Sequence, residues 1–210
     1  MDKTIKVAII DDDADVLDAL QLYLERNRLS VVTFSSATKF VEALECTRDF
    51  DCIVCDVRMR GMTGLDLQRT LTKGRSKIPL ILISGHGDIE MAVSAIKAGA
   101  FDFLEKPLDE RRLLTDIEKA VQSRQTEIDA DSQKTRLLER FKQLSDRQRD
   151  VVLNAVHGLS NKEIAARLGI SPRTVEHYRE QAMQRMQADN LAELVQMAMY
   201  LELFDTMKSI

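Results

Sequence analysis

Residues 7–13 read VAIIDDD, a short apolar run that ends in three consecutive aspartates. Two further stretches have the same form: residues 52–56 read CIVCD and residues 80–84 read LILIS. Short apolar runs that are rich in β-branched residues and stop at a polar residue are typical of strands buried on both faces of a parallel sheet. Similar runs at 31–32 and 101–104 complete a set of five predicted strands.

Segments with the apolar spacing of helices separate these runs, for example the one that carries Val16, Leu17, Leu20 and Leu24. Strands that alternate with helices predict an α/β domain: a doubly wound five-stranded parallel sheet with right-handed crossovers and helices on both faces. After Leu144 the pattern is helical only. We therefore expect a small all-α domain of four helices to follow the sheet domain.

The composition bounds the class of protein. The chain has 210 residues, which suits one large domain or two small ones, and a net charge of -4, which argues weakly against nucleic-acid binding by bulk charge. Cys52 and Cys55 are three apart on a predicted strand and point to opposite faces, so buried thiols are favoured over a metal or redox pair. An odd cysteine count, with no early secretory signal and no long apolar run, predicts a cytoplasmic protein without a membrane partner.

Polar residues stand at the end of four of the five predicted strands. Asp11 and Asp12 follow the first strand, Asp56 ends the third, Ser84 ends the fourth and Lys106 follows the fifth. The carboxyl ends of parallel strands meet at one edge, where ligands bind. Crowded carboxylates attract a hard cation such as Mg²⁺, and Asp56 could attack phosphorus to form an acyl phosphate while Ser84 and Lys106 neutralise the phosphoryl oxygens.

A plainer interpretation of the first acidic group is helix capping, and Asp13 suits an N-cap. The motifs around the group, however, resemble the receiver domains of two-component signalling: residues 9–13, 55–59, 83–88 and 103–107. The resemblance implies a flavodoxin-like fold and a cis peptide bond before Pro107. Arg60 and Thr63 depart from the common family pattern, where Pro and Asp are frequent, and neither would touch the phosphoryl group.

The receiver resemblance also implies roles for individual residues. By that resemblance Asp56 is the phosphorylation site, and a cognate sensor histidine kinase supplies the phosphoryl group. Mg²⁺ is held by Asp12, Asp56 and the backbone carbonyl of Arg58, with Asp11 assisting through water. Ser84 occupies the Thr/Ser position, and Phe103 is the switch aromatic.

The helical tail contains a second motif. Residues 161–168 form a short predicted helix, Gly169 suits a tight turn, and Ser171-Pro172 is a strong helix start before a second helix over 173–186. Two short helices across such a turn form a helix-turn-helix. Between Ser160 and Gln187 there are five basic and three acidic residues, so positive charge gathers on the motif although the tail as a whole is slightly acidic.

A four-helix protein-interaction domain would show much of the same pattern. The stretches 144–149, 158–165 and 170–176 are nevertheless similar to LuxR-type DNA-binding domains, and the whole arrangement resembles the FixJ branch of the NarL/FixJ response regulators. By position the phosphate contacts are Lys162, Arg173, Thr174 and Arg179, and the base contacts are Glu176, His177 and Glu180. Family members often have His where Tyr178 stands, so His177 could instead be an ordinary surface histidine.

These resemblances predict a receiver domain at 1–122 and a DNA-binding domain at 141–210. The stretch between them, 123–140, is mostly polar and contains no Gly or Pro, which predicts a helical linker. Phosphorylation of Asp56 would draw the Ser84 hydroxyl inward, and Phe103 would follow into the space vacated. The altered face, made by the fourth helix (about residues 89–97), the fifth strand and the fifth helix, would then pair with its copy in a second chain. The homodimer would then bind promoter double-stranded DNA and regulate transcription, with RNA polymerase as a further partner.

Alternatives to this scheme remain at the level of sequence. Release of an inhibitory contact between the domains could replace dimerisation, and the tail could bind protein instead of DNA. We do not expect an enzyme. A phosphatase of the haloacid-dehalogenase type requires a second Asp, as general acid, two residues after its nucleophile, and this chain has Arg58 at that position.

Overall fold

The computed structural model describes residues 4–46, 49–85 and 89–203. The motif residues His86, Gly87 and Asp88 lie outside the described residues. The chain divides into two compact units, Met1–Glu127 and Ile128–Ile210. No helix in the described part of the chain is both long enough and apolar enough to cross a membrane.

Five parallel strands form the centre of the first unit, in the order β2-β1-β3-β4-β5. Their ranges are β1 Lys6–Ile10, β2 Ser30–Phe34, β3 Cys52–Asp56, β4 Leu80–Ser84 and β5 Asp102–Glu105. From β1 the chain first forms β2 on one side of β1 and then crosses over to form β3 on its other side. The strand order therefore reverses between β1 and β3. This arrangement confirms the predicted doubly wound sheet.

Helices cover both faces of the sheet. They are α1 Ala14–Arg26, α2 Ala37–Cys46, α3 Gly64–Lys73, α4 Ile89–Lys97 and α5 Glu110–Lys142. Two separate clusters of buried apolar side chains result, one on each face. Cys55 belongs to one cluster and Cys52 to the other, and both are buried, as their spacing on the strand predicted.

The second unit contains the last turns of α5 and four shorter helices: α6 Asp146–Val156, α7 Asn161–Leu168, α8 Pro172–Met186 and α9 Leu191–Tyr200. Side-chain caps begin these four helices, and Gly169 ends α7 in the left-handed conformation with φ 67°. Val175, Ala182 and Met186 of α8 are buried, so seven- and four-residue steps bring one face of α8 to the core.

Candidate functional site

The carboxyl ends of β1 and β3 and the loop after β5 bring one cation between two acids. The Lys106 Nζ atom lies 2.7 Å from Asp56 Oδ1 and 3.0 Å from Asp11 Oδ2. Both aspartates are buried, with 6% and 4% of their surface exposed, while the lysine side chain is about one-third exposed. An acid–cation–acid cluster therefore stands at the strand-order reversal, where ligands of open α/β sheets bind.

Local hydrogen bonds orient the two acids. The backbone N–H of Arg58 donates to Asp56 Oδ2 at 2.6 Å, and the backbone N–H of Asp13 donates to Asp11 Oδ1 at 3.0 Å. Burial raises the pKa of the Asp11 carboxyl, and hydrogen bonds from Asp13 and Lys106 oppose that rise only in part. Asp13 also caps α1 through its own carboxylate, so capping and the acidic cluster exist side by side.

The Lys106 ammonium responds to the same surroundings. Burial acts to lower its pKa, but hydrogen bonds and charge attraction from Asp56 and Asp11 outweigh that effect, and the pKa is raised. Lys106 therefore carries its positive charge at neutral pH. A permanent cation against Asp56 is suited to stabilise a second negative group that arrives there.

Asp12 and Arg58 lie at the exposed rim of this cluster. The backbone N–H of Arg60 donates to Asp12 Oδ2 at 3.2 Å, which ties the loop after β3 to the loop after β1. Beside this contact an open cleft of about 420 Å³ is lined by Asp12, Asp13, Ala14 and Arg60. The cleft leaves an approach from solvent to the acidic edge.

The oxygen donors at this edge suit a hard divalent cation. Among the residues that the structure describes, no three His, Cys, Asp or Glu side chains are grouped closely enough to hold a metal alone. Mg²⁺ keeps several waters and needs only one or two carboxylates from the protein. Asp12, Asp56 and the Arg58 carbonyl offer oxygen donors only, which is the kind of ligand that Mg²⁺ prefers.

Ser84 and Phe103 lie on the neighbouring strands. Ser84 ends β4 with none of its surface exposed, and its carbonyl accepts a hydrogen bond from the Lys106 N–H at 2.8 Å. Phe103 lies on β5 opposite Leu82 and is half-buried against the cluster that contains Ile10. Ser84 is thus hydrogen-bonded to the backbone of Lys106, while Phe103 packs against an apolar cluster that includes Leu82 on the neighbouring strand.

Gly64 also contributes to the site, although no sequence motif pointed to it. A Cβ atom at this position would lie 2.5 Å from the Asp56 carbonyl oxygen and 3.0 Å from Val57 Cα. The Gly64 N–H also donates to the Val57 carbonyl at 3.1 Å. The start of α3 therefore packs directly on the backbone of Asp56, and only glycine allows that approach. In the sequence, the only indication of this close packing is that a glycine immediately follows Thr63, the N-cap of α3.

The helix-turn-helix motif presents a second set of predicted residues. Along α8, Arg173, Glu176, His177 and Glu180 are exposed, and they recur at three- and four-residue steps on one face. Tyr178 is half-buried and packs against the cluster of Ile164 and Val175. The helical phase therefore turns His177, rather than residue 178, toward solvent.

The remaining predicted contacts flank this face. Lys162 is exposed on α7, and Thr174 is half-buried, with its hydroxyl 2.8 Å from that of Ser171. Arg179 donates to Asn161 Oδ1 at 3.2 Å, which links α8 to the start of α7. The structure thus places the seven predicted residues on two helices of one unit, with Thr174 and Arg179 partly engaged within the protein.

Comparison with known proteins agrees with both halves of the chain. A family model described as the response regulator receiver domain matches residues 7–118. A second model, described as bacterial regulatory proteins of the luxR family, matches residues 142–198.

Individual relatives span nearly the whole length. The transcriptional regulatory protein FixJ of Bradyrhizobium diazoefficiens is 40% identical over 92% of this chain and 94% of its own. The solved response regulator StyR is 37% identical, with a TM-score of 0.80 over 94% of this chain and 99% of that one. Full-length FixJ from B. japonicum is 39% identical, with a TM-score of 0.61 over 96% and 99%. The chain therefore belongs to the response regulators, among the FixJ-like transcriptional regulators that join a receiver domain to a LuxR-type DNA-binding domain.

Proposed function

We propose that Asp56 accepts a phosphoryl group from a sensor histidine kinase and that this modification controls promoter binding. The observation that carries the proposal is the Lys106 ammonium, 2.7 Å from Asp56 Oδ1 and 3.0 Å from Asp11 Oδ2 at the ligand-binding edge of the sheet. A cation held against a nucleophilic carboxylate offsets the charge that the incoming phosphoryl group adds.

In the transfer, an Asp56 carboxylate oxygen attacks the phosphorus of a phosphohistidine. A new O–P bond forms, the P–N bond of the donor breaks, and its electron pair stays on the imidazole nitrogen. The product is an acyl phosphate on Asp56. The Lys106 ammonium and the Ser84 hydroxyl are the groups of this chain that would then contact the phosphoryl oxygens.

A magnesium ion would supply further neutralisation of phosphoryl charge at this edge. Its ligands would be the carboxylates of Asp12 and Asp56 and the backbone carbonyl of Arg58, with Asp11 acting through a bound water. Asp12 suits this role because it is exposed at the rim, and Asp11 suits an indirect role because its carboxylate already bonds Lys106 and Asp13.

Phosphorylation would be transmitted through Ser84 and Phe103 to α4 and promote a homodimer. In support, α4 exposes three apolar side chains on one stripe: Ile89, Val93 and Ile96 are 80%, 46% and 44% exposed. Exposed apolar side chains that recur along one helix face are typical of an association surface. A dimer would hold two helix-turn-helix units for paired half-sites in promoter double-stranded DNA.

In the DNA complex, Lys162, Arg173, Thr174 and Arg179 would contact phosphates, and Glu176, His177 and Glu180 would face base edges. Five of these residues are exposed, and Thr174 and Arg179 are partly buried beside them. All but Lys162 lie within the first nine residues of α8, toward the end of a recognition helix that enters the major groove. The bound regulator would act on RNA polymerase at the promoter.

The test is phosphorylation of the full chain by acetyl phosphate with Mg²⁺, followed by mass measurement and by salt-dependent binding to promoter duplexes. We expect one added phosphoryl group in the wild type and in Asp18→Asn, an exposed control on α1, and none in Asp56→Asn. Phosphate uptake by Asp56→Asn would contradict the assignment of the site. Uptake without any DNA binding would instead favour a protein-binding role for the tail.

A further inference from the structure

A chain of side-chain hydrogen bonds connects the interior of the second unit to the exposed His177. The backbone N–H of Ser145 donates to Gln148 Oε1 at 3.0 Å, and Gln148 Nε2 donates to Gln181 Oε1 at 2.9 Å. Gln181 Nε2 then lies 2.9 Å from His177 Nε2. Gln148 on α6 is only 3% exposed. This hydrogen-bond network therefore begins in the core of the second unit and ends on the face of α8 that carries Glu176 and Glu180.

The first hydrogen bond, from the Ser145 N–H, fixes which group donates and which accepts in the rest of the network. A backbone N–H can only donate, so the Gln148 atom that it meets must be the amide oxygen. The other Gln148 atom is then the amide nitrogen, which donates, and the Gln181 atom that receives it must be the oxygen. Gln181 consequently turns its NH₂ group toward His177. The orientation of both amides follows from one backbone group and needs no separate assignment.

The last link determines the state of the histidine ring. Because Gln181 Nε2 is a donor, the His177 Nε2 atom that faces it must be an acceptor and carries no proton. In a neutral imidazole the proton then resides on Nδ1. The exposed ring therefore offers its surroundings an Nδ1–H donor, and its acceptor nitrogen is occupied by Gln181.

We propose that Gln181 is a positioning residue that makes His177 a reader of hydrogen-bond acceptors in the major groove. The proposal rests on the DNA-binding function proposed above. An N–H donor matches N7 and O6 of guanine, N7 of adenine or O4 of thymine, and mismatches the amino group of cytosine. Gln181 itself touches the ring and not the DNA, so it acts on base choice through the tautomer and orientation of His177.

The tautomer is tested on the full chain by nitrogen NMR with labelled histidine at about pH 8, where histidine is ordinarily neutral. We expect the His177 signals to report a proton on Nδ1. In Gln181→Glu the new carboxylate accepts, so the proton should move to Nε2, whereas Gln184→Glu, one turn further along α8 and exposed, should leave the ring unchanged. A proton on Nε2 in the wild type, or no response to Gln181→Glu, would overturn the proposal.

Base choice is tested by selecting bound duplexes from a pool randomised across the half-site. At one position of the half-site, the wild type should prefer guanine, adenine or thymine over cytosine by about three- to ten-fold. That preference should be lost in Gln181→Met, kept in Gln184→Met, and shifted toward cytosine in Gln181→Glu. Thermal melting of each variant checks that the second unit is folded.

The outcomes separate this inference from the function on which it rests. A wild-type chain that binds no duplex in any phosphorylation state contradicts the proposed DNA binding, while the NMR result still decides the tautomer. A wild-type chain that binds selectively, with the same base preference in Gln181→Met, refutes the role of Gln181 and leaves DNA binding intact.

Discussion

Replacement of Gly64 by alanine should damage both the stability of the receiver unit and the reactivity of Asp56. The added Cβ would lie 2.5 Å from the Asp56 carbonyl oxygen, 3.0 Å from Val57 Cα and 3.1 Å from Leu82 Cδ2. Two of these three atoms are backbone and cannot rotate away. The end of β3 and the start of α3 must therefore separate by several tenths of an ångström or more.

The magnitudes follow from that displacement. Overpacking of this kind costs about 1–3 kcal/mol in the free energy of unfolding. A misplacement of about 1 Å at a reacting group can cost about 100-fold in rate, and Asp56 moves with the backbone that the methyl group pushes. We expect phosphorylation by acetyl phosphate to slow by at least about ten-fold in Gly64→Ala.

A matched control lies at the other end of the same helix. Gly74 ends α3 with φ -74°, a conformation open to any residue, and a Cβ atom added there would come no nearer than 3.4 Å to a neighbouring atom. Gly74→Ala should therefore change stability by less than about 1 kcal/mol, with the smaller entropy of the unfolded chain acting to stabilise it, and should leave the phosphorylation rate unchanged.

The assays are urea unfolding followed by circular dichroism and time courses of phosphoprotein formation, on the full chain in each case. If Gly64→Ala matched Gly74→Ala in both measurements, the close approach of α3 to Asp56 would not constrain the site. A loss of stability without a loss of rate would show that the strain is relieved away from the Asp56 carboxylate.

Three further predictions concern the acid cluster, a helix cap and α4. Burial raises the Asp11 pKa in the folded chain, so the contribution of Asp11 to stability should be lost as pH rises from the ordinary value near 3.8 through the higher value of the folded state. Asp11→Asn should therefore be more stable than the wild type at pH 7 in urea titrations, and this gain should disappear in acid. An equal gain at all pH values would refute this cause. Ser160→Ala removes the N-cap of α7 and should destabilise the second unit by about 1 kcal/mol in thermal melts; no change would show the cap to be dispensable. Beryllofluoride mimics the phosphoryl group, and we expect it to increase the mass of the wild type in sedimentation. Val93→Asp should prevent this increase, whereas Leu22→Asp, an exposed control on α1, should not; equal behaviour of the two variants would exclude α4 as the dimer face.

Local pattern was sufficient for the architecture of both units. The central strands β1, β3 and β4 were visible as short apolar runs, because burial on both faces leaves no room for polar residues before the strand ends. The edge strands β2 and β5 are only partly buried and gave shorter or interrupted runs. Since parallel strands end at one edge, the convergence of Asp11, Asp56 and Lys106 followed from the sequence as well. The helix-turn-helix was visible through its caps, Ser171 and Gly169, because helix ends need special residues that sequence displays directly.

Distances between separate elements could not be obtained in this way. The sequence shows that residue 64 is glycine, but it does not show that a Cβ atom there would lie 2.5 Å from the Asp56 carbonyl oxygen. That distance depends on the path of the loop between the two residues. The sequence contains Gln148 and Gln181 but not their contact, since 33 residues separate them and only the packing of α6 against α8 brings them together. Sequence thus determined which chemical groups reach each site, through local periodicity and strand direction, and tertiary packing decided how those groups orient one another.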